Sequence, residues 1–492
     1  MTNLTHADRI AKLEAMRAAG KDPYPARGLA DATPLAELST AAGSPEEPGP
    51  LLGKRVAAAG RLLGLRDFGK LVFAPLRDRT GRLQLGLKRN DLEEWWPERK
   101  WLDGGDLIGV RGILGHTQKG EPTIWVDEVH HLAKALAPPP EKWHGMSDTE
   151  ARYRRRYVDL WANPDVLAVF IARGKILSTL RRTLEDQGYI EVETPTLHPI
   201  AGGAAARPFV THHNALGSDL YLRIAPELYL KRLIVGGMER VFELSRNFRN
   251  EGVSTRHNPE FTMLELYEAQ GDYLRMMEVT EQLFENCALA VNGTTEVTFR
   301  GKPFNLKAPF ARARYADLFK SANGCEFDDE TAVRARAKEL KIEDHGDYWK
   351  LMNDVFEDTV EDGLEGPIFV TDYPLPICPL AKCSPSDERF AERFEVFIDG
   401  MELGNAFSEL NDPAEQERRF TEQVASKDPE TPGEVDIDYV QALEYGMPPT
   451  GGLGIGVDRL VMVITGQDSI RDVLLFPAMR SQEKAETQPQ EA

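Results

Sequence analysis

The chain has 492 residues and a formal net charge of −20. That length supplies core for two or three domains, and the acidic balance excludes a protein that coats nucleic acid indiscriminately, so such a partner requires a local basic surface. The opening MTNLTHADRIAKLEAMRAAG lacks the apolar run of a secretion signal and no later stretch could span a bilayer, so a cytosolic (cytoplasmic) protein that uses no membrane is expected.

Leu4 to Ala19 reads as a helix ending at Gly20, with Leu4, Ile10, Leu13 and Met16 apolar amid charges, and is expected to pack on the next domain. Ser39 to Pro50, STAAGSPEEPGP, has the composition of a loop or linker, so residues 1–50 form a helix-and-linker segment. From Lys54 to Leu136 short strand-like runs alternate with turn signals, which predicts a small barrel of the oligonucleotide-binding type over 51–137. Pro75 cannot donate to a ladder and implies a bulge or an edge there. The same segment concentrates Lys54, Arg55, Arg61, Arg66, Lys70, Arg77, Arg79, Arg82, Lys88, Arg89, Arg99 and Lys100, a pattern that suits a nucleic-acid surface and equally a solvated strand face. Phe73 and Gln84 lie on either side of the Thr80-Gly81 turn. In such barrels a ring stacks a base and an amide reads its edge, although a core Phe fits the pattern as well.

Ala137 to Asp148, APPPEKWHGMSD, is Pro-rich and marks a hinge, assigned here to 138–152. An α/β-rich domain follows over 153–480. It opens with a long helix at Val166 to Gln187 and then GYIEVETPTLHPI, a strand interrupted at Pro195. AGGAAARPF, residues 201–209, allows backbone to approach a ligand closely. Val241 to Phe248 and Phe261 to Ala269 alternate as strands around a polar loop from Asn250 to Pro259. Period two puts Phe261, Met263, Glu265 and Tyr267 on one face and Thr262, Leu264 and Leu266 on the other, with Arg249, Glu251, Arg256 and His257 arriving from the loop. Glu278 to Ala290 is helical, 315–365 reads as an accessory region of helix and loop, and 481–492 is expected to be disordered. The four cysteines, Cys287, Cys325, Cys378 and Cys383, have neither redox nor zinc spacing and are expected as reduced thiols.

Asp399-Gly400 signals a tight hairpin that would pair Phe397 with Glu402 and put Glu395 on the same face. Two carboxylates so placed can hold magnesium against phosphate oxygens. In MPPTGGLGIGVDRLVMVITG a Gly-rich strand runs into an apolar helix, so Arg459 falls in the first helical turn, where dipole and guanidinium both favour a phosphate.

FRNEG followed by RHNPEFTMLELY resembles motif 2 of the class II aminoacyl-tRNA synthetases, in the form found in the lysyl branch of bacterial type; GLGIGVDR resembles their motif 3 and GYIEVETPTLHPI their motif 1. The resemblance runs from about Lys54 to Arg480. It implies an α+β architecture: an OB-type β-barrel that binds the anticodon, joined to a class II catalytic domain of antiparallel sheet flanked by helices. It further implies a ligase that uses ATP, L-lysine and tRNA(Lys), with Mg2+, acting as a homodimer. On this reading Arg249 bridges the α-phosphate and the lysine carboxylate. Arg256 and His257 meet the outer phosphates, Phe261 stacks the adenine, Glu251 accepts its amine, Arg459 holds the γ-phosphate, and Glu395 and Glu402 hold the metal. Gly203, Glu227, Arg249, Glu265, Tyr267, Asn405, Phe407 and Glu409 would form the lysine pocket, while Arg66, Phe73, Gln84 and Glu128 would read a U-rich anticodon.

Converging buried carboxylates raise one another's pKa unless a cation compensates, and a lysine ammonium is such a cation. Simple alternation past Glu402 would send Asn405, Phe407 and Glu409 away from that pocket, so a β-bulge at Leu403 or Gly404 is predicted. PLPICPLAKC, residues 374–383, carries Pro376 and Cys378 where the family more often has an acid and a serine, a departure expected to touch none of these residues.

Overall fold

The computed structural model describes residues 4–139, 146, 148–426 and 433–480; the tail expected at 481–492 and residues 140–145 and 147 of the expected hinge lie outside the described residues. Two compact units result, one running to Arg152 and including Tyr157–Asn163, the other made of Tyr153–Arg156 and the chain from Pro164 onward.

The first unit contains α1 (Leu4–Ala18), α2 (Leu35–Ala42), β1 (Arg55–Leu62), β2 (Arg66–Asp67), β3 (Leu71–Arg77), β4 (Arg82–Lys88), β5 (Leu107–His116) and β6 (Pro122–Ala133). Strand order β1-β5-β6-β4-β3, with β1 also pairing β3, closes a five-stranded barrel, and β2 adds to β3. Leu62, Ala74, Leu85, Val110 and Ile124 fill its interior. Helix α1 ends before Gly20, whose φ of +72° a side chain would strain. It packs Leu13 and Met16 inward and leaves Ile10 exposed, while Arg9 donates to the carbonyls of Ala135 (2.8 Å) and Gly104 (2.9 Å).

Two expectations are corrected or narrowed here. The segment 39–50 is not wholly a loop, since 39–42 complete α2. That helix is capped from a distance: the Leu35 amide donates to Asp78 Oδ2 (2.8 Å) and the Ala36 amide to Thr80 Oγ1 (3.1 Å), both on the β3–β4 turn. With the cap 43 positions away and Leu35 and Leu38 fully buried against the barrel, local composition carried no sign of it. Pro75 causes no bulge, because the β3–β4 ladder runs through Pro75–Gln84 without a shift. Nor is β3 an edge strand, since it pairs β4 on one side and β1 and β2 on the other; Pro75 falls between the β1 and β2 pairings, where Leu63 N donates to its carbonyl (2.9 Å).

Short helices α3 (Thr149–Arg154) and α4 (Arg156–Ala162) lead to the second unit, which continues with α5 (Pro164–Glu185), β7 (Ile190–Glu191), β8 (Leu197–His198), β9 (Val210–His213), β10 (Ser218–Leu222), α6 (Glu227–Val235), β11 (Arg240–Phe248), β12 (Glu260–Ala269), α7 (Tyr273–Asn292), β13 (Glu296–Phe299), β14 (Lys302–Asn305) and β15 (Ala311–Arg314). Then come α8 (Tyr315–Asn323), α9 (Glu330–Leu340), α10 (Tyr348–Val360), β16 (Ile368–Thr371), β17 (Arg393–Ile398), β18 (Met401–Ser408), α11 (Pro413–Ser426), α12 (Ile437–Glu444), β19 (Thr450–Gly456), α13 (Val457–Thr465) and α14 (Ile470–Val473). The main sheet has the order β15-β16-β17-β18-β19-β12-β11-β7, antiparallel from β16 to β11 with a parallel strand at each edge.

Alternation along β12 decides which face does what. Leu264 and Leu266 point into a core with Ile176 and Leu180 of α5, Leu283 and Phe284 of α7, and Leu460 and Val461 of α13. Each such burial contributes about 2 kcal/mol, so the register of β12 is strongly held. Its opposite face, with Glu265 and Tyr267, is left for the site. Helix α7 starts where Asp272 Oδ1 accepts from Arg275 N (2.8 Å) and stops at Gly293 in the left-handed region. Helices α8 to α10 build a separate core around Tyr315, Phe319, Met352 and Phe356.

Candidate active site

The β17–β18 hairpin turns at Asp399 and Gly400, with φ of +49° and +65°, a two-residue turn with both central residues left-handed. Arg300 and Lys302 hold the Asp399 carboxylate, at 3.4 and 2.6 Å. Pairing runs Phe397–Glu402 and then Val396–Gly404, so Leu403 is the extra residue of the predicted bulge. The shift returns Asn405 to pair with Glu395 and Phe407 with Arg393, on the face that carries Glu402.

Gly203, Glu227, Arg249, Glu265, Tyr267, Asn405, Phe407 and Glu409 all line one cavity of about 350 Å³. Glu227 opens α6, Glu265 lies mid-β12 and Glu409 follows β18; they are 7%, 3% and 1% exposed, so three carboxylates share a space from which water is largely excluded. Burial, and then Glu227, push Glu265 up to about 8, against the pull of Arg249. The Tyr267 hydroxyl faces Glu265 Oε2 at 3.4 Å. Glu409 Oε1 meets no hydrogen-bond donor among the described residues. It fits only because residue 452 is glycine: a Cβ there would lie 1.9 Å from that oxygen. Gly203, at φ +89°, passes Glu227 so closely that a Cβ would come within 3.1 Å of the glutamate's own.

A second cavity of about 240 Å³ is lined by Glu251, Arg256, His257, Phe261 and Arg459, and it shares Arg249, Met263, Glu402, Asn405 and Gly454 with the first. Arg249 thus stands where the two meet. Its guanidinium stacks over Phe261 at 5.1 Å, burial lowers its pKa, and its Nε has no acceptor among the described residues, leaving a buried donor free. Arg459, three residues into α13 from Gly456, donates to the Glu402 carbonyl (2.7 Å) and Oε2 (3.1 Å) and lies 3.2 Å from His257 Nε2. Burial, then Arg459 and Arg249, push the His257 pKa down, which favours the neutral ring. Arg256 reaches toward Gly400 and Asp362.

Glu395 lines the first cavity with Glu402. Its carboxyl is pushed up to about 7 by burial, with Arg393 opposing and Glu402 adding to the rise. A divalent cation between the two acids would relieve that cost, and the pair suits magnesium. Among the described residues no three acid, His or Cys side chains are grouped to enclose an ion, so a cation here would take most of its ligands from phosphate and water.

Several residues of the site escaped the sequence. Arg393 donates from Nε to Asn405 Oδ1 (3.0 Å), from Nη2 to Glu395 Oε1 (2.5 Å) and from Nη1 to Cys378 Sγ (3.2 Å), so one guanidinium ties three parts of the first cavity's wall together. Its spacing two residues before Glu395, on the same strand face, was the available signal. Ile377 and Cys378 line the cavity, so the unusual 374–383 loop does touch the site, contrary to expectation. Glu361, beyond α10 in the region read as accessory, is pushed up to about 8 by burial and then by Glu395, Glu357 and Glu402, which puts part of that region beside the acid pair. Lys231 is also there, fully buried.

On the barrel, Arg66 Nη2 donates to Gln84 Oε1 (2.8 Å), and Gln84 Nε2 to Thr123 Oγ1 (3.1 Å). Phe73, opposite Arg66 in the ladder, is half-buried and meets Phe68 and Trp125 edge-on at 6.3 and 6.1 Å. Phe68 is 68% exposed, and neither it nor Trp125 was singled out from the sequence. Glu128 is engaged elsewhere, with Arg55 (3.0 Å), Arg111 (3.1 Å) and His130 (2.7 Å).

A family model described as tRNA synthetases class II (D, K and N) matches residues 148–480, and one described as OB-fold nucleic acid binding domain matches 56–132. The chain is 49% identical over 480 residues to the lysine--tRNA ligase of Carboxydothermus hydrogenoformans, covering 96% of this chain and 97% of that one. It is 50% identical over 486 residues to that of Moorella thermoacetica (97% and 98%), and 51% over 436 residues to that of Xanthomonas oryzae pv. oryzae (87% and 86%). With a closed OB-type barrel, an antiparallel catalytic sheet and these matches, the chain belongs to the class II tRNA synthetases of the D, K and N group, among relatives named lysine--tRNA ligase.

Proposed function

We infer that this protein is a lysine--tRNA ligase, which joins L-lysine to AMP with release of pyrophosphate and then passes the lysyl group to the 3′ end of tRNA(Lys). The observation that carries the reading is the convergence of Glu227, Glu265 and Glu409 in one buried cavity that adjoins a second lined by Arg249, Arg256, His257 and Arg459. Aspartate would bring a further negative charge into a nest of three acids that holds one buried ammonium, Lys231; a lysine side chain brings a second cation.

Adenylation requires a carboxylate oxygen to attack the α-phosphorus as pyrophosphate leaves. The nucleophile is already ionised, so the protein's task is positioning and charge neutralisation. Arg249, at the junction of the cavities, holds the lysine carboxylate against the α-phosphate. Phe261 stacks the adenine, Glu251 accepts its amine, and Arg256, His257 and Arg459 meet the β- and γ-phosphates. Glu395 and Glu402 would hold magnesium, which neutralises polyphosphate charge when bound. In the second step the terminal ribose hydroxyl attacks the adenylate carbonyl and AMP leaves, with a phosphate oxygen as proton acceptor.

The domain assignment follows: 51–137 reads tRNA, 153–480 does the chemistry, and 1–50 supports the barrel. Phe73 and Arg66 offer a half-buried ring and a guanidinium to a U-rich anticodon, and the buried amide of Gln84, held by Arg66 and Thr123, and the ion-paired Glu128 would have to exchange those partners to take part. A homodimer belongs to this reading through the likeness of GYIEVETPTLHPI, with Pro195, to motif 1. Among the described residues no helix is long and apolar enough to cross a membrane, in keeping with a cytoplasmic enzyme. A relative that lysylates protein would have no use for the barrel. The test is lysine-dependent exchange between pyrophosphate and ATP; no exchange, or exchange driven by aspartate, removes the proposal.

A further inference from the structure

Lys231 lies one helical turn after Glu227 on α6, and its side chain is fully buried. Its ammonium donates to Glu227 Oε1 at 2.6 Å and is ion-paired with Glu409 Oε2. The rings of Phe407 and Tyr267 lie 5.3 and 5.9 Å from it. The chain's own lysine therefore meets two of the three carboxylates and both rings assigned to the substrate's side chain. It does not line the cavity; Glu227 and Glu409 stand between it and the open space.

We propose that Lys231 is a positioning residue that sets the charge of the amino-acid pocket: from behind, it clamps Glu227 and Glu409 as carboxylates, so that an incoming side-chain amine meets anions. The inference rests on the reading of the cavity as a lysine site. Two like charges this close cannot both stay ionised in a dry pocket without a cation. Burial alone would discharge Lys231, but Glu227 and then Glu409 outweigh it and hold its pKa above the ordinary range. The groups that face this ammonium are Glu227 from α6, Glu409 after β18, Tyr267 from β12 and Tyr439 from α12. Glu265 is not bonded to Lys231; its Oε2 faces the Tyr267 hydroxyl at 3.4 Å. With Lys231 in place, one built-in positive charge stands against three acids, and a substrate ammonium supplies a second. Without Lys231, two buried carboxylates face one another with no compensating cation behind them, and the pocket becomes one that an uncharged side chain enters more readily.

The experiment measures amino-acid-dependent pyrophosphate exchange by the full chain, with lysine and its uncharged analogue norleucine, from about pH 6 to about pH 9. Wild type is compared with Lys231→Met and Lys231→Arg. In the Met variant the KM for lysine should rise about ten- to a hundredfold at neutral pH while that for ATP stays close to wild type. The lysine KM should recover as pH rises, and the preference for lysine over norleucine should fall about tenfold. The Arg variant, which keeps the charge, should retain the wild-type pH profile and preference. Wild-type profile and preference in the Met variant overturn the proposal, as does an equal rise in both KM values for both variants, which is what lost packing alone would do. Should the Met variant fail to fold, the Arg variant decides: loss of the preference or profile overturns the proposal. Wild type without lysine-dependent exchange would instead remove the reading of the site itself.

Discussion

Changing Gly452 to alanine adds a single methyl group at the most crowded point of the amino-acid cavity. An ideal Cβ there lies 1.9 Å from Glu409 Oε1 and 2.6 Å from Tyr267 Cε1. A carbon–oxygen contact needs about 3.3 Å, so the carboxylate would retreat by about 1.4 Å. Glu409 is 1% exposed and held by Lys231, and cannot swing aside freely. A charge-assisted hydrogen bond of about 2.8 Å to the substrate amine would stretch beyond 4 Å, at a cost of about 1.5–3 kcal/mol. That converts to a KM for lysine raised about ten- to a hundredfold in pyrophosphate exchange. Gly452, Tyr267 and Glu409 do not line the nucleotide cavity, so the KM for ATP should hardly move. Overpacking should also lower stability by about 1–3 kcal/mol, read from a denaturant melt. An unchanged KM for lysine in a folded variant would refute the reasoning, and equal rises for lysine and ATP would show general distortion.

Glu265→Gln should weaken lysine far more than ATP, because it removes charge from the amine's site and leaves the nucleotide cavity intact; equal losses would show that this acid does not read the ammonium. Since Glu265 sits at about 8 in the fold against 4.5 unfolded, the native state keeps a proton that the unfolded chain has lost between those values. Its contribution to stability therefore declines as pH rises through that window and levels off above it. A bound ammonium favours the carboxylate, so lysine should bind more tightly as pH climbs toward 8 and release a proton. Calorimetry near pH 7 in two buffers of different ionisation enthalpy would detect the release, and identical heats would count against it. Gln84→Ala should raise the KM for tRNA by about tenfold without altering lysine-dependent exchange; a change in exchange would place the residue's role elsewhere.

Much of the site was legible in the chain because the signals were local. Alternation along 261–269 divides core from site and Asp399-Gly400 dictates a tight turn, whereas the bulge found at Leu403 was expected only because the family resemblance places Asn405 and Phe407 in the pocket, against simple alternation. Lys231 had a local signal too, four residues past Glu227 on a helix. Its significance depended on Glu409, which the chain reaches only 178 positions later.

What the sequence by itself determined was which residue types stand on which face of each element, since periods of two and 3.6 follow from backbone geometry alone. Tertiary structure decided everything that depends on a partner far along the chain. The cap of α2 comes from Asp78, the space for Glu409 exists because Gly452 lacks a side chain, Arg393 joins Asn405 to Glu395, and Glu361 of the accessory region comes up beside the acid pair. Charge, desolvation and close packing act through space, and that distance is set only once the strands have found their neighbours.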